Sequence, residues 1–576
     1  MTKFVTFPSL GRRTLPNQYD LMAMALIFGA FVAIGEAVRG LNAPLAALPA
    51  ADISLGYENL PYYALRTTLR MFAAIGASLI FTFTYATLAA KSRRAEMVLI
   101  PLLDILQSVP ILGFLSFTVT FFLGLFPGST LGAECAAIFA IFTSQAWNMA
   151  FSFFQSLRNV PRDLNEVARG FGLSGWQKFW QLETPFAMPS LIWNMMMSMS
   201  GGWFFVVASE AITVGDTTIK LPGIGSYLAV AIEHKRIDAV IAAVITMFVV
   251  IMAYDQFLFR PLVVFAGRFR VELSMSQTQQ RSWVIDLFTR SPWLRATIDW
   301  PGGILRNVAL WRFELPLRAS GQPANSRTTK LIDALWLAVI AAVAAGAFWM
   351  IVSYLSQTLK WSDLGQSILL TFFTMLRVIL LILLASLVWV PVGVWVGLRP
   401  ALAEKIQPLA QFLAAFPANV VFPIAVVLIL RFKLNPDIWL SFLIVFGTQW
   451  YILFNVVAGA QAFPNDLREA VSNFKITGWA WWKNVILPGI FPYYVTGALT
   501  ASGGSWNAAI VAEYVKWGDD TVTAHGIGSY IAEATAAGDF PKIVLGVAIM
   551  SVFVTLFNRL LWRPLFGLAE RRLSVN

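Results

Sequence analysis

Two arginines lie inside long apolar runs of this 576-residue chain, Arg70 after Leu69 and Arg377 after Leu376. A charge at membrane depth costs ~3 kcal/mol or more, so it faces a cavity or a partner, and a guanidinium fork suits an oxyanion. The pair is therefore read as an anion attractor near a pseudo-twofold axis; the alternative is that each side chain snorkels to the outer interface. Glu210 and Glu513 end two further runs, where they pair with basic residues or hold a gate. Ser200-Gly-Gly-Trp203 and Ser502-Gly-Gly-Ser-Trp506-Asn507 place small residues and an indole at mid-run. Small residues serve tight helix packing, and the indole with flanking hydroxyl and amide groups suits a pathway lining. Gln145 beside Trp147, and Gln449 beside Trp450, are further polar groups at depth.

Other chemistries are missing from the chain. No Gly-x-x-x-x-Gly-Lys-Ser/Thr phosphate loop occurs, so any ATP and Mg belong to separate subunits and this chain carries no cofactor of its own. His234 and His525 are isolated, without Cys or His neighbours, which argues against a metal site. The single Cys135 precludes an intramolecular disulfide. Catalytic residues are expected to be none, and the chain is expected not to be an enzyme.

The elements that must hold these residues are membrane spans. The chain is 58% hydrophobic and 13% charged, with mean hydropathy +0.68, whereas soluble domains are about a quarter charged. Twelve runs reach span length, at roughly 21–39, 64–90, 97–126, 132–157, 186–210 and 237–259, then 331–355, 367–397, 406–430, 438–458, 489–512 and 542–562. They are too long and too little alternating for barrel strands, so the expected fold is all-α. The net charge of +11 does not imply nucleic acid, because the basic residues fall between the spans. With the N-terminus inside, inner segments hold 29 Lys and Arg against 7 outside, so both termini are expected on the cytoplasmic side. The first run could pass for a secretory signal, but its counterpart at 331–354 opens the second half and cannot be one.

The chain repeats itself. At an offset of 307, Leu69-Arg70 matches Leu376-Arg377, Pro101 matches Pro408 and Pro110 matches Pro417. At an offset of 303, Pro161, Asp163, Glu166, Gly175, Pro185, Pro189, Trp203 and Glu210 match Pro464, Asp466, Glu469, Gly478, Pro488, Pro492, Trp506 and Glu513. Gly223-Ile-Gly-Ser-Tyr227 recurs as Gly526-Ile-Gly-Ser-Tyr530. Six spans is an even number, so the halves insert in one orientation, as a parallel repeat about an axis along the membrane normal. The expected division is a first half at 1–262, a cytoplasmic linker at 263–330 and a second half at 331–576. Within the linker, Trp283–Trp300 mixes aromatic, aliphatic and arginine residues as an interfacial helix would.

In each half a polar segment of nearly thirty residues, at about 158–185 and 461–488, joins the fourth and fifth spans, far longer than a turn requires. Pro161 and Asp163 suit a first helical turn, Gly172 or Gly175 permits a turn, and a second helix runs on to Pro185. Such a knob is a docking element. It resembles the EAA loop of type I ATP-binding-cassette importer permeases: Glu-Ala-Ala, three residues, Gly, nine residues, Ile, one residue, Leu-Pro. Glu166, Ala168, Gly172, Leu182 and Pro185 fall in register, as do Glu469, Ala470, Val485, Leu487 and Pro488, while Val167, Thr184 and Val471 depart and Lys475 occupies the Gly position. The run from Leu487-Pro488 through Trp506 to Ala512-Glu513 is similar to the nitrate, sulfonate, taurine and bicarbonate branch. The resemblance implies a fused permease for a small anion. It also implies two cytoplasmic ATPase subunits docking on Glu166, Ala168, Gly172, Gly175, Pro185 and on Glu469, Ala470, Lys475, Gly478, Pro488, with an extracytoplasmic binding protein as a further partner. The competing architecture is a secondary transporter of two six-span halves, which needs a long connection only between its halves.

Overall fold

The computed structural model describes residues 53–269, 307–312 and 327–572, apart from 109–112, 114, 128, 215–216, 462 and 464. The expected first span at 21–39 and the interfacial segment Trp283–Trp300 lie outside the described residues. The first half contains α1 (Leu60–Lys91), α2 (Arg93–Ser108), α3 (Leu115–Leu125), α4 (Thr130–Arg158), α5 (Arg162–Gly170), α6 (Gly175–Lys178) and α7 (Thr184–Glu210). A hairpin β1 (Ala211–Val214) and β2 (Thr217–Lys220) follows, then α8 (Ile224–Glu233), α9 (Ile237–Tyr254) and α10 (Arg260–Gly267). The second half repeats the order: α11 (Arg327–Thr358), α12 (Trp361–Gly397), α13 (Pro400–Ala415), α14 (Phe422–Phe432), α15 (Pro436–Phe446), α16 (Gln449–Gln461), α17 (Asn465–Asn473), α18 (Gly478–Trp481) and α19 (Leu487–Ala512). It closes with β3 (Tyr514–Trp517), β4 (Asp520–Thr523), α20 (Ile527–Ala536), α21 (Phe540–Phe557) and α22 (Arg563–Arg572).

From α5 to the start of α22 each element of the first half begins 303 residues before its counterpart, down to the π-helical turns at Phe179–Glu183 and Trp482–Ile486. The shift from 307 to 303 has a structural location. Helix α3 and its counterpart α14 are 307 apart, so the residues gained by the first half fall between α3 and the body of α4. There α14 ends on Lys433 in the left-handed conformation, and α15 starts after Asn435.

Among the described residues, seven helices are long and apolar enough to cross a bilayer, and nine if two bent pairs count as one span each. At 1.5 Å per residue the 32 residues of α1 run about 48 Å, ample for a ~30 Å hydrocarbon core. The bent pairs are the fifth span, 41° at Ser200, and the tenth, 44° between α15 and α16. Two expected spans are corrected. The stretches 97–126 and 406–430 are not continuous helices but pairs, α2 with α3 and α13 with α14. The break in the second pair follows from Pro417: its ring forces the preceding Phe416 out of the helical region, to ψ 127°. The two β-hairpins also qualify the all-α expectation; each is a four-residue antiparallel pair directly after the fifth span of its half.

Small residues let the spans approach. Ala133, Ala136, Ala137 and Ala140 line a buried face of α4, and the halves meet through α7 and α9 on one side and α13 and the turn after it on the other. Asn419 Nδ2 donates to the Phe204 carbonyl at 3.0 Å, Phe248 packs edge-on against Phe412 at 4.5 Å, and Arg94 pairs with Asp333 at 2.8 Å across the halves.

Candidate functional site: two helix-turn-helix knobs and two carboxylate clamps

At one end of the bundle, α5 with α6 and α17 with α18 form the two helix-turn-helix knobs. Helix α5 ends in a Schellman turn, in which Gly172 N–H donates to Arg169 O at 2.9 Å and Leu173 N–H to Ala168 O at 3.1 Å. That turn needs a left-handed residue, and Gly172 sits at φ 62°. Lys475 holds the same place in the second knob at φ 51°, with the same two bonds, so the backbone keeps the turn although the side chain disfavours it. Ser174 and Gln177 close a capping box on α6, and Gly175 opens that helix. Gly478 opens α18 at φ 63°. Pro185 and Pro488 open α7 and α19 directly after the π-helical turns at Phe179–Glu183 and Trp482–Ile486, inside a helix that runs on from the knob.

Glu166 and Glu469 are exposed and Ala168 is buried under α5; the Ala470 side chain lies outside the described residues. Phe171 and its counterpart Phe474 are each 78% exposed, so both knobs offer an aromatic ring to solvent. Below the knobs the halves differ. Buried Glu183 pairs with Lys91 at 2.8 Å and Lys178 at 3.3 Å, tying the first knob to α1, while Ile486 fills the equivalent place without charge.

The opposite end carries two clamps that sequence reasoning found only in part. In the first, the Arg70 guanidinium is 3% exposed. It donates from Nε and Nη2 to Glu134 at 2.6 and 2.7 Å, and from Nη1 to Glu210 at 2.7 Å and the Pro222 carbonyl at 2.9 Å. Glu210 also accepts from the Thr67 hydroxyl at 2.7 Å and the Gly225 amide at 2.6 Å. In the second, Arg377 donates to Glu513, to Asp437 at 3.5 Å and to the His525 carbonyl at 3.3 Å. Glu513 accepts from Thr374 at 2.9 Å and from the Gly528 amide at 2.7 Å. The clamp joins α1, the end of α7 and the start of α8, and its copy joins α12, the end of α19 and the start of α20.

This geometry explains the Gly-Ile-Gly-Ser-Tyr repeat. A Cβ on Gly223 would lie 2.3 Å from the Glu210 carboxylate, and one on Gly225 would lie 2.5 Å from the Val207 carbonyl. Thr67, Glu134 and their counterparts Thr374 and Asp437 were missed, although each recurs at the offset of its own span. Among the described residues, the partners of Arg70 all belong to the first half and those of Arg377 to the second, so the two arginines share no ligand there. An oxyanion at either guanidinium has to compete with carboxylates already seated. Outside the spans, Lys235 pairs across the halves with Asp520 at 2.9 Å, and that carboxylate holds its ammonium above the ordinary lysine range.

At the seam between the halves, Met196, Trp203 and Tyr254 face Phe412, Tyr451 and Phe454 around a cavity of about 40 Å³. Trp203 packs edge-on against Tyr254 at 5.4 Å. Trp506 is equally buried; its Nε1 and the Ser502 Oγ have no hydrogen-bond partner among the described residues. Asn507 Nδ2 donates back to the Gly503 carbonyl at 3.4 Å. Ser200 lies at the bend of the fifth span, its side chain outside the described residues. Gln145 contacts Met199 Sδ at 3.5 Å, whereas Gln449 accepts from Trp389 Nε1 at 2.9 Å, so the two glutamines are not counterparts. The residue 303 after Gln145 is Thr448, which bonds Ser505 at 3.0 Å.

Known proteins agree with this organisation. The chain is 31% identical over 176 residues to the bicarbonate transport system permease protein CmpB of Synechococcus elongatus, covering 31% of this chain and 60% of that relative. It is 24% identical over 259 residues to the nitrate import permease protein NrtB of Leptolyngbya laminosa, covering 44% and 81%. Over 155 residues it is 29% identical to the putative aliphatic sulfonates transport permease protein SsuC of Escherichia coli K12, covering 27% and 53%. The chain thus spans three fifths of the length of the bicarbonate relative. These relatives are transport permeases, not enzymes. Residues 64–259 and 389–563 each match the model for binding-protein-dependent transport system inner membrane components, together well over half of the sequence, and this multi-pass membrane chain belongs to that family as a tandem duplicate.

Proposed function

We propose that this chain is the fused two-half permease subunit of an ATP-binding-cassette importer, divided at 1–262, 263–330 and 331–576. It carries a small anion of the nitrate, bicarbonate or sulfonate kind along the seam between its halves. The observation that carries the reading is the pair of knobs. Two helix-turn-helix elements recur 303 residues apart at one end of the bundle, each rigid, each presenting Glu166 or Glu469 and an exposed phenylalanine. A rigid exposed knob transmits force from a separate subunit; a secondary transporter has no use for two. In this reading the knobs and both termini face the cytoplasm, two ATPase subunits supply ATP and Mg, and a substrate-binding protein delivers the anion at the clamp end. Ser502 and Trp506, four apart on one face of α19 and buried with unused donors, are the anion contacts, since an unpaired buried donor is costly until something accepts from it.

The test is reconstitution in liposomes with an ATPase of the same class and a binding protein, following uptake of nitrate, bicarbonate and an alkanesulfonate. Uptake of at least one anion that needs both ATP and the ATPase is the expected result. Uptake that proceeds equally without the ATPase identifies a secondary transporter and refutes the reading.

A further inference from the structure

The two knobs are alike in backbone and unlike in what covers them. Residues 307–312 of the segment between the halves lie against α6: Trp176 Nε1 donates to the Val308 carbonyl at 2.8 Å, and Gln177 Nε2 donates to the Leu310 carbonyl at 2.9 Å. At the second knob the equivalent residues are Trp479, 73% exposed, and Ala480, which has no donor. The duplicated tryptophan is therefore tied down once and bare once, and the amide that grips the linker exists only where the linker is. The linker in turn adds apolar surface beside the first knob, with Leu310 and Trp311 about half exposed and Arg312 exposed beside them.

We propose that linker residues Leu310–Arg312 form part of the docking surface for one ATPase subunit, so that the first docking site is composite and the second is built from its knob alone. This rests on the reading that the knobs receive ATPases. The occupant follows from continuity: Leu310 and Trp311 are anchored to the same α5–α6 element that presents Val167 and Phe171 to solvent. An aromatic and an aliphatic side chain held next to an existing docking element enlarge its apolar centre, and such centres supply most of an interface's energy. The Val308 and Leu310 carbonyls are taken up by Trp176 and Gln177, which fixes this helical turn while the Leu310 and Trp311 side chains stay about half exposed. At the second knob the bare Trp479 ring presents the apolar area that the linker supplies at the first. The two ATPase sites thereby differ in composition, and two different ATPase subunits, or one ATPase bound with two affinities, fit them.

The experiment is site-specific photocrosslinking in the full-length chain co-expressed with an ATP-binding-cassette ATPase subunit. Benzoyl-phenylalanine replaces Phe171, Phe474 or Trp311 one at a time. All three positions are expected to crosslink to the ATPase. In a Trp176→Phe/Gln177→Glu background, which keeps the capping box but removes both linker donors, the position 311 crosslink is expected to fall at least tenfold while that at 474 persists. Crosslinking at 171 and 474 without any at 311 overturns the composite site and leaves the knobs as docking elements. A position 311 crosslink unaffected by the double substitution overturns the anchoring. Absence of crosslinks at all three positions refutes the ATPase reading itself, and the composite site with it.

Discussion

Removing the Arg70 guanidinium should unfold the first clamp without needing to touch any transported solute. In Arg70→Ala, Glu210 loses its one charged partner among the described residues while remaining fully buried, held by the Thr67 hydroxyl and the Gly225 amide. Stranding one member of a buried ion pair costs about 3–5 kcal/mol, and the bidentate arm to Glu134 is lost as well. The second clamp is looser on its outer side, since Arg377 reaches Asp437 only at 3.5 Å and is 11% exposed. Exposed arms of that kind contribute about 0–1 kcal/mol, so Arg377→Ala should cost roughly 1 kcal/mol less than Arg70→Ala. Replacing both charges, as in Arg70→Met/Glu210→Gln, keeps an acceptor for the Gly225 amide, turns the new side-chain NH2 toward the Thr67 hydroxyl oxygen and removes the stranded anion. At least half of the loss should return, because a buried pair exchanged as a unit is nearly neutral. The measurement is the unfolding midpoint of purified protein in detergent, followed by tryptophan fluorescence. A loss of about 3 kcal/mol lowers the midpoint by roughly 6–12 °C if each half melts as a unit. Should Arg70→Ala melt like the parent yet abolish uptake, the guanidinium is reserved for the anion and the clamp argument is wrong.

Three further outcomes follow from local geometry. Lys475→Gly should stabilise the second knob by about 1 kcal/mol and Gly172→Lys should weaken the first by a similar amount, read as protease resistance of the α17–α18 and α5–α6 loops. Gly225→Ala and Gly528→Ala should each cost about 1–3 kcal/mol, because the new methyl meets backbone oxygens at 2.5 and 2.3 Å; Gly503→Ala, with open space around it, should be neutral or mildly stabilising in a thermal melt. Glu134→Gln should lower the unfolding midpoint more than Asp437→Asn, since Glu134 is 19% exposed and gripped by Arg66 and Arg70, whereas Asp437 is 39% exposed, reaches Arg377 only at 3.5 Å and is otherwise held by the exposed His525; equal shifts would overturn this ranking.

What could be read from the sequence was whatever repeats or is long. Periodicity and length gave the spans, and identity at fixed offsets gave the duplication, because a duplicated bundle keeps the residues its packing cannot vary. Glu210, Glu513, Arg70 and Arg377 were found by charge alone, and their companions were not, since Thr67 and Thr374 are inconspicuous in an apolar run and Glu134 changes to Asp437. The expected span at 406–430 broke because Pro417 holds Phe416 out of the helical region within an otherwise strongly apolar run. The hairpins were invisible for a different reason: four residues per strand carry too little alternation to register, and what fixes them is the carbonyl of Glu210 or Glu513 receiving an amide from the far side of the turn, Leu221 at 2.9 Å and Ala524 at 2.8 Å.

The asymmetry of the chain follows one rule. Where the two halves bury backbone and small residues they agree position for position, from the π-helical turns to the paired glycines. Where a polar side chain meets something outside its own half, they part: Gln177 against Ala480 beside the linker, and Lys235 against Gly538 at the Asp520 pair; Glu183 against Ile486 is a difference within one half, since Lys91 and Lys178 both belong to the first. Fusion makes this possible, because two copies on one chain always meet each other in the same arrangement and no surface has to be self-complementary. A homodimer of one half would have to place Lys235 and Asp520 at both ends of its axis; here one pairing suffices, and its mirror position is free to be the left-handed glycine Gly538 at φ 66°. The differences thus lie beside the first knob and at the seam between the halves.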